Sequence, residues 1–174
     1  MEVSFVKNKQ IKLIITSALF AALTAGLTIF PTIPIPGGGY VHLGDAMILI
    51  AASFLPLPYA MTAAAIGGGL ADLISGYATY IPFTIVAKAL LTVAFTSKSE
   101  KILTKRNIAA PFLSVITTPL GYFCADSILY SVAGATPGII WNLCQAAASI
   151  IVFFIISAAF DKADLKSKLA GKMQ

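Results

Sequence analysis

The sequence predicts an all-α integral membrane protein: one domain, residues 1–174, with six transmembrane helices and both termini cytoplasmic. Three observations carry this. The 174 residues are 58% hydrophobic and only 11% charged, whereas soluble domains carry roughly a quarter charged residues. The mean hydropathy is +0.89. Of the twelve basic residues, eleven lie in residues 1–12, in residues 97–107 or in the tail beyond Phe160, and only Lys88 does not. A net charge of +5 would point a soluble protein toward nucleic acid, but basic residues between and beyond apolar runs report topology instead. Under the positive-inside rule those three segments are cytoplasmic and the intervening turns are outside.

Each helix follows from local signals. Helix 1 is expected over 11–30, after a polar, basic segment 1–12. A lysine-rich start followed by an apolar run resembles a signal peptide. The run continues for about 18 residues, longer than an h-region, so an uncleaved first helix is expected. Its Ala18-x-x-x-Ala22, Ala21-x-x-x-Ala25 and Ala22-x-x-x-Gly26 spacings form a small-residue stripe that permits close helix contact in lipid. Residues 31–42 hold three prolines and three glycines, so a non-helical loop is expected there.

Helix 2, expected over 43–55 between that loop and Pro56, spans only about 20 Å at the α-helical rise. That is less than the roughly 30 Å hydrocarbon core, so the preceding loop must dip into the protein. Pro58 suits the first turn of helix 3, expected over 58–75. Helix 4 is expected over 82–96 and helix 5 over 108–132, with Pro111 in its first turn and Pro119 as a kink. Thr136-Pro137 reads as the cap and first residue of helix 6, expected over 137–160.

With that orientation the polar groups converge on the outer half of the bilayer. They are His42 and Asp45 at the start of helix 2, Asp72 near the end of helix 3, and Lys88 about 9 Å into helix 4. Asp126 on helix 5 and Asn142 and Gln145 on helix 6 join them. Ionisable groups at such depth mark a functional site by default. Their alternative role is structural, with Asp72 and Lys88 neutralising each other to lock two helices. His42 either caps the loop or touches ligand, and Asp45 is also favoured at a helix N-terminus without any ligand.

Tyr122, Asp126 and Tyr130 recur at i, i+4, i+8, and Trp141 and Gln145 at i, i+4, so each set shares a helical face. Aromatics beside acids and amides suit a pocket for a flat, polar small molecule, while tyrosines near helix ends also form interfacial belts. The inner halves of the helices are almost purely apolar, which favours an outward-facing cavity over a continuous channel.

Several functions are excluded. There is no Gly-x-x-x-x-Gly-Lys-[Ser/Thr] motif for nucleotide hydrolysis and no Gly-x-Ser-x-Gly or His-Glu-x-x-His motif. A single histidine and two cysteines inside apolar runs, Cys124 and Cys144, leave no metal-ligand spacing. No enzyme, cofactor or metal is expected.

Three stretches, Gly39-Tyr-Val-His-Leu-Gly-Asp45, Gly67-Gly-Gly-Leu-Ala-Asp-Leu-Ile-Ser-Gly-Tyr77 and Pro82-Phe-Thr84 with Lys88, resemble the substrate-binding S component of energy-coupling factor (ECF) vitamin transporters. The likeness is to the branch with riboflavin-type and hydroxymethylpyrimidine-type members, and it extends over nearly the whole chain. It implies capture of a vitamin or precursor in an outward cavity lidded by the first loop, in a multi-pass protein of the bacterial plasma membrane. It also implies partnership with a membrane T component and two cytoplasmic ATPases, with Ala18 and Ala22 facing the T component.

The expected substrate-binding residues are Asp72, Lys88, Asp126, Asn142, Gln145, Trp141, Tyr122, His42 and Asp45, with loop 31–42 as the gate. The alternative is a stand-alone proton-coupled carrier that uses Asp72 or Asp126 as a relay. A third reading is a membrane scaffold without a ligand.

Overall fold

Helix α2 (Gly44–Phe54) runs through the centre of the molecule, and every residue of it except Met47 and Phe54 is buried. A helix that is apolar all round belongs in an interior, and Ile48, Leu49 and Ile50 are each 0–1% exposed. Its 11 residues span about 16 Å, as expected of a segment too short to cross a bilayer by itself.

The computed structural model describes residues 2–34 and 40–171, with side chains placed for 9–34 and 40–168. Residues 35–39 of the expected gate, Lys172 and the side chain of Lys7 lie outside the described residues. Helix α1 spans Glu2–Ile29, beginning well before the expected residue 11. Nothing in that basic segment breaks a helix, since it holds neither proline nor glycine, so the lysines extend the first helix instead of preceding it. The loop that follows is a small antiparallel hairpin of β1 (Thr32–Pro34) and β2 (Tyr40–His42), with Thr32 opposite His42 and Pro34 opposite Tyr40.

Helix α3 (Leu57–Ile74) ends in a Schellman turn in which Tyr77 N–H donates to Asp72 C=O at 2.8 Å. Gly76 takes the positive φ of 83° that this turn requires. A 3₁₀ turn over Ala78–Tyr80 leads into α4, Ile81–Leu90.

Helix α4 stops short of the expected residue 96 because polar side chains take over the carbonyls beyond it. Arg106 Nε donates to Ala94 C=O at 2.6 Å, and Asn107 Nδ2 donates to Thr96 C=O at 2.8 Å. Thr104 caps α5 (Lys105–Ala109) by accepting from Asn107 N–H, and a 3₁₀ turn over Ala110–Leu113 holds Pro111 and joins α6, Ser114–Leu129. The fifth helix therefore begins at Lys105 rather than Ile108, with Pro119 inside it.

The last long segment also starts earlier than expected. Ser131, not Thr136, caps it by accepting from Gly134 N–H, and α7 (Val132–Ala135) leads into α8 (Gly138–Lys162) and α9 (Leu165–Gly171). Among the described residues four helical stretches are long and apolar enough to cross a membrane, at residues 9–29, 57–74, 105–129 and 132–162, and the shorter apolar helices are Gly44–Phe54 and Ala78–Leu90.

At the end of α2 away from the hairpin the connections are clamped. Asp161 accepts from the N–H groups of Ile102 and Leu103 at 2.7 and 2.9 Å. Lys166 Nζ donates to Ser53 C=O at 2.6 Å, where a cation also complements the C-terminal end of the α2 dipole. Burial pushes the Lys166 amine down to about 8.

Close approach of α3 to its neighbours rests on two glycines. A Cβ on Gly67 would lie 2.7 Å from Ala21 C=O on α1, and one on Gly68 would lie 2.9 Å from both Lys88 Cγ and Thr84 Cγ2 on α4. At Gly69 the nearest atom would be an ordinary 3.6 Å away. Gly67→Ala should therefore lower the stability of the detergent-solubilised protein by about 1–3 kcal/mol through forced separation of α1 and α3. Gly69→Ala should be neutral or stabilising by up to about 1 kcal/mol, because alanine is the better helix former. Thermal unfolding of the two variants checks the contrast.

Candidate functional site

The first residues of α2 carry Asp45 into the interior, and α4 brings Lys88 to meet it. Lys88 Nζ donates to Asp45 Oδ1 at 2.6 Å, with both side chains at most 2% exposed. This corrects the alternative in which Lys88 and Asp72 neutralise each other. Asp72 is nearer in sequence, but α2 is the central helix and its N-terminus faces the Lys88 amine.

The second Asp45 oxygen accepts from Gln145 Nε2 on α8 at 3.0 Å. The Gln145 carboxamide oxygen accepts from the His42 backbone N–H at 3.4 Å. Gly44 N–H donates to His42 Nδ1 at 3.1 Å, which requires that nitrogen to be unprotonated, so the imidazole is neutral. His42 thus ties the hairpin to α2 and α8, which is the structural role foreseen for it. The Lys88 amine also sits over the Tyr122 ring, 5.1 Å from its centroid, an attractive cation–π geometry.

Beside this network lies a cavity of about 250 Å³. His42, Asp72, Lys88, Tyr122, Asp126, Asn142 and Gln145 all line it, so helices 3 to 6 of the expected set converge as their spacing suggests. Asp45 stands behind Lys88 as its buried partner and is not part of the lining. Trp141 does not line it either. On α8 the lining residues are Gly138, Asn142 and Gln145, an i, i+4, i+7 face that turns the half-buried Trp141 aside.

Other lining residues carried no clear signal in the sequence. Tyr40 reaches the cavity from β2, two residues from His42 and hence on the same strand face. That alternation becomes legible only once the loop is known to pair as a hairpin. Tyr77 and Tyr80, open in sequence between an interfacial belt and the pocket, both line it. Their rings form a chain, Tyr40 to Tyr77 at 5.6 Å and Tyr77 to Tyr80 at 6.1 Å. Tyr80 O–H donates to Asp126 Oδ1 at 2.6 Å. Thr84, one turn before Lys88, contacts Tyr122 O–H at 3.3 Å.

Asp72 differs from the other acids. It is 8% exposed, lines the cavity, and its Oδ2 is buried with no hydrogen-bond partner among the described residues. Below the cavity the core is apolar, with Ile48, Leu49, Leu91 and Phe153 at 0–2% exposure. The arrangement can hold a polar, flat molecule and offers it no through passage. Among the described residues no His, Cys, Asp and Glu group could hold a metal ion.

The family model of the ECF-type riboflavin transporter S component matches residues 8–162. The chain belongs to this family. A protein of Pyrococcus woesei, named only as an uncharacterized protein in gap 3'region, is 35% identical over 129 residues, covering 72% of this chain and 85% of that protein. As an ECF S component the chain is a membrane protein and a vitamin-related, substrate-binding subunit of a transporter.

The S-component cavity is built against a buried ion pair, so removing one partner should expose its role. Lys88→Met leaves the Asp45 carboxylate buried without a cation and should cost about 3–5 kcal/mol. Lys88→Met with Asp45→Asn should recover most of that, because the amide keeps a partner in Gln145 and carries no charge. Thermal unfolding of the single and double variants measures this coupling.

Proposed function

We propose that this chain is the substrate-capture subunit of an ECF-type ABC importer. It binds a water-soluble vitamin or precursor, of riboflavin, hydroxymethylpyrimidine, thiamine-related or pyridoxine-like type, and delivers it through a module driven by two cytoplasmic ATPases and a membrane T component. In this reading the chain performs no chemistry of its own. The apolar segments form six crossings of the cell membrane, with α2 and α4 as short central spans. The basic segments lie in the cytoplasm, and the cavity opens to the outside under the β1–β2 hairpin.

The observation that carries the reading is the cavity itself. It is polar and aromatic at one end of an otherwise apolar bundle and closed beneath by aliphatic and aromatic side chains. Such a site captures and holds, whereas a channel needs polar lining throughout. Asp72, Asp126 and Asn142 serve as hydrogen-bonding groups for the ligand, Tyr122 and the rim tyrosines as stacking faces. The His42–Asp45–Lys88–Gln145 network is the rigid wall that supports them.

The face that meets the T component is the exposed side of α1. Ala18, Ala22 and Gly26 are exposed, whereas Ala21 and Ala25 are buried in the bundle. The two small-residue stripes thus serve different contacts, one inside the chain and one available to a partner helix.

Reconstitution in liposomes tests the assignment. The purified chain should bind a radiolabelled vitamin saturably without accumulating it, and accumulation should require the T component, the ATPases and ATP. Gradient-driven uptake by the chain alone would establish a proton-coupled carrier instead. Ala18→Leu or Ala22→Leu should reduce recovery of the T component complex while ligand affinity stays at the wild-type value.

A further inference from the structure

The geometry points to a compact aromatic amine as the ligand: a single-ring molecule whose N–H donors bind Asp72, and from which phosphorylated or otherwise anionic compounds are excluded. This rests on the reading of the chain as a capture subunit and narrows the substrate class of that site.

Charge is the first ground. Lys88 is the one cation in the cavity wall among the described residues, and it is committed to Asp45 at 2.6 Å with the Tyr122 ring beside it. Asp45 and Lys88 form the ion pair, which leaves Asp72 and Asp126 facing the cavity without an ion-pair partner of their own among the described residues, although the Lys88 charge is near enough to Asp72 to act on it. Asp126 has a strong donor in Tyr80 O–H at 2.6 Å. Asp72 has none on Oδ2 among the described residues, although the residue is more than nine-tenths buried.

A buried acceptor without a donor is costly, and an amine or protonated ring nitrogen supplies both the missing hydrogen bond and the missing charge. A phosphate or carboxylate on the ligand would instead meet two acids, and the one cation in the described wall is already paired with Asp45.

Shape and size are the second ground. Tyr40, Tyr77, Tyr80, Tyr122 and Tyr130 surround the space, and the faces of such rings attract flat cations. The volume of about 250 Å³ lies below the roughly 300–1,000 Å³ of sites that enclose drug-sized ligands. One ring with short substituents fits that scale better than the three fused rings and ribityl chain of a flavin.

The test is calorimetric titration of the full-length chain in detergent with matched probes. These are pyridoxamine, pyridoxine and pyridoxamine phosphate, then 4-amino-2-methylpyrimidine and its 4-hydroxy counterpart, and riboflavin. Each amine should bind about 10-fold to 100-fold more tightly than its hydroxyl counterpart, the scale of one charge-assisted hydrogen bond, and the phosphate ester should not bind. Asp72→Asn should erase the amine preference while its thermal unfolding matches wild type. An Asp72→Asn protein that still prefers amines would overturn the assignment of Asp72. If no amine binds at millimolar concentration the proposed class is wrong; riboflavin binding in that case would leave the capture reading standing. Absence of binding by every probe, with no small molecule carried by the purified protein in native mass spectrometry, would remove both.

Discussion

The cavity end of the molecule depends on one buried ion pair. Lys88 and Asp45 meet at 2.6 Å at no more than 2% exposure, in a setting where each charge alone would be prohibitively desolvated. The pair is tolerable because its surroundings finish the hydrogen bonding. Gln145 takes the second Asp45 oxygen, the α2 N-terminus favours a carboxylate, and Tyr122 presents its ring to the amine. Four elements, β2, α2, α4 and α8, are thereby held in one arrangement, and the hairpin is tied to the same network by His42, whose N–H donates to Gln145 and whose Nδ1 accepts from Gly44 N–H. Such a pair contributes less to net stability than a packed apolar core would, but it determines which helix faces meet.

That arrangement also explains the glycines of the Gly67-Gly68-Gly69 stretch. Gly67 admits the backbone of α1, and Gly68 admits the stem of Lys88, whose Cγ would lie 2.9 Å from an added Cβ. Without that notch the lysine could not run along α3 toward Asp45. Asp72 follows Gly68 by four residues and so shares its helix face, which is the face that borders the cavity. One short sequence therefore positions a cation for the structural pair and a carboxylate for the open site.

How much of this is legible in the sequence varies with range. Proline and glycine punctuation locates α2 and α3 to within a residue or so, because Pro56, Pro58 and Gly76 act on their own backbones. Helix starts governed by side chains are less legible. Thr136-Pro137 looks like a cap, yet Ser131 performs that task, and the end of α4 is decided by Arg106 and Asn107, more than ten residues downstream.

In the site, periodicity correctly groups Tyr122, Asp126 and Tyr130 on one face. It misleads for Trp141, where Gln145 alone does not define the face. The partner of Lys88 is the instructive case. Asp72 is 16 positions away and Asp45 is 43 away, and only the three-dimensional placement of a short, largely buried helix decides between them.

The closed floor constrains how any bound molecule could leave on the far side. Ile48, Leu49, Leu91 and Phe153 form a close-packed layer beneath the cavity, and such layers do not open by small side-chain movements. The polar wall above is no more yielding, since separating Lys88 from Asp45 would strand two charges in the interior. Loosening the bundle enough to pass a ligand downward would disrupt both. Motion of the hairpin over the cavity, by contrast, involves one short two-stranded unit, its contacts to α8 and α1, the Gly44 N–H bond to His42 and the Tyr40–Tyr77 ring contact. In the proposed capture reading, entry and exit share this one mouth, and net transport is the work of a partner that reorients the whole bundle. In that reading the exposed Ala18, Ala22 and Gly26 stripe on α1 is the proposed contact, since small residues let a partner helix pack closely against the bundle.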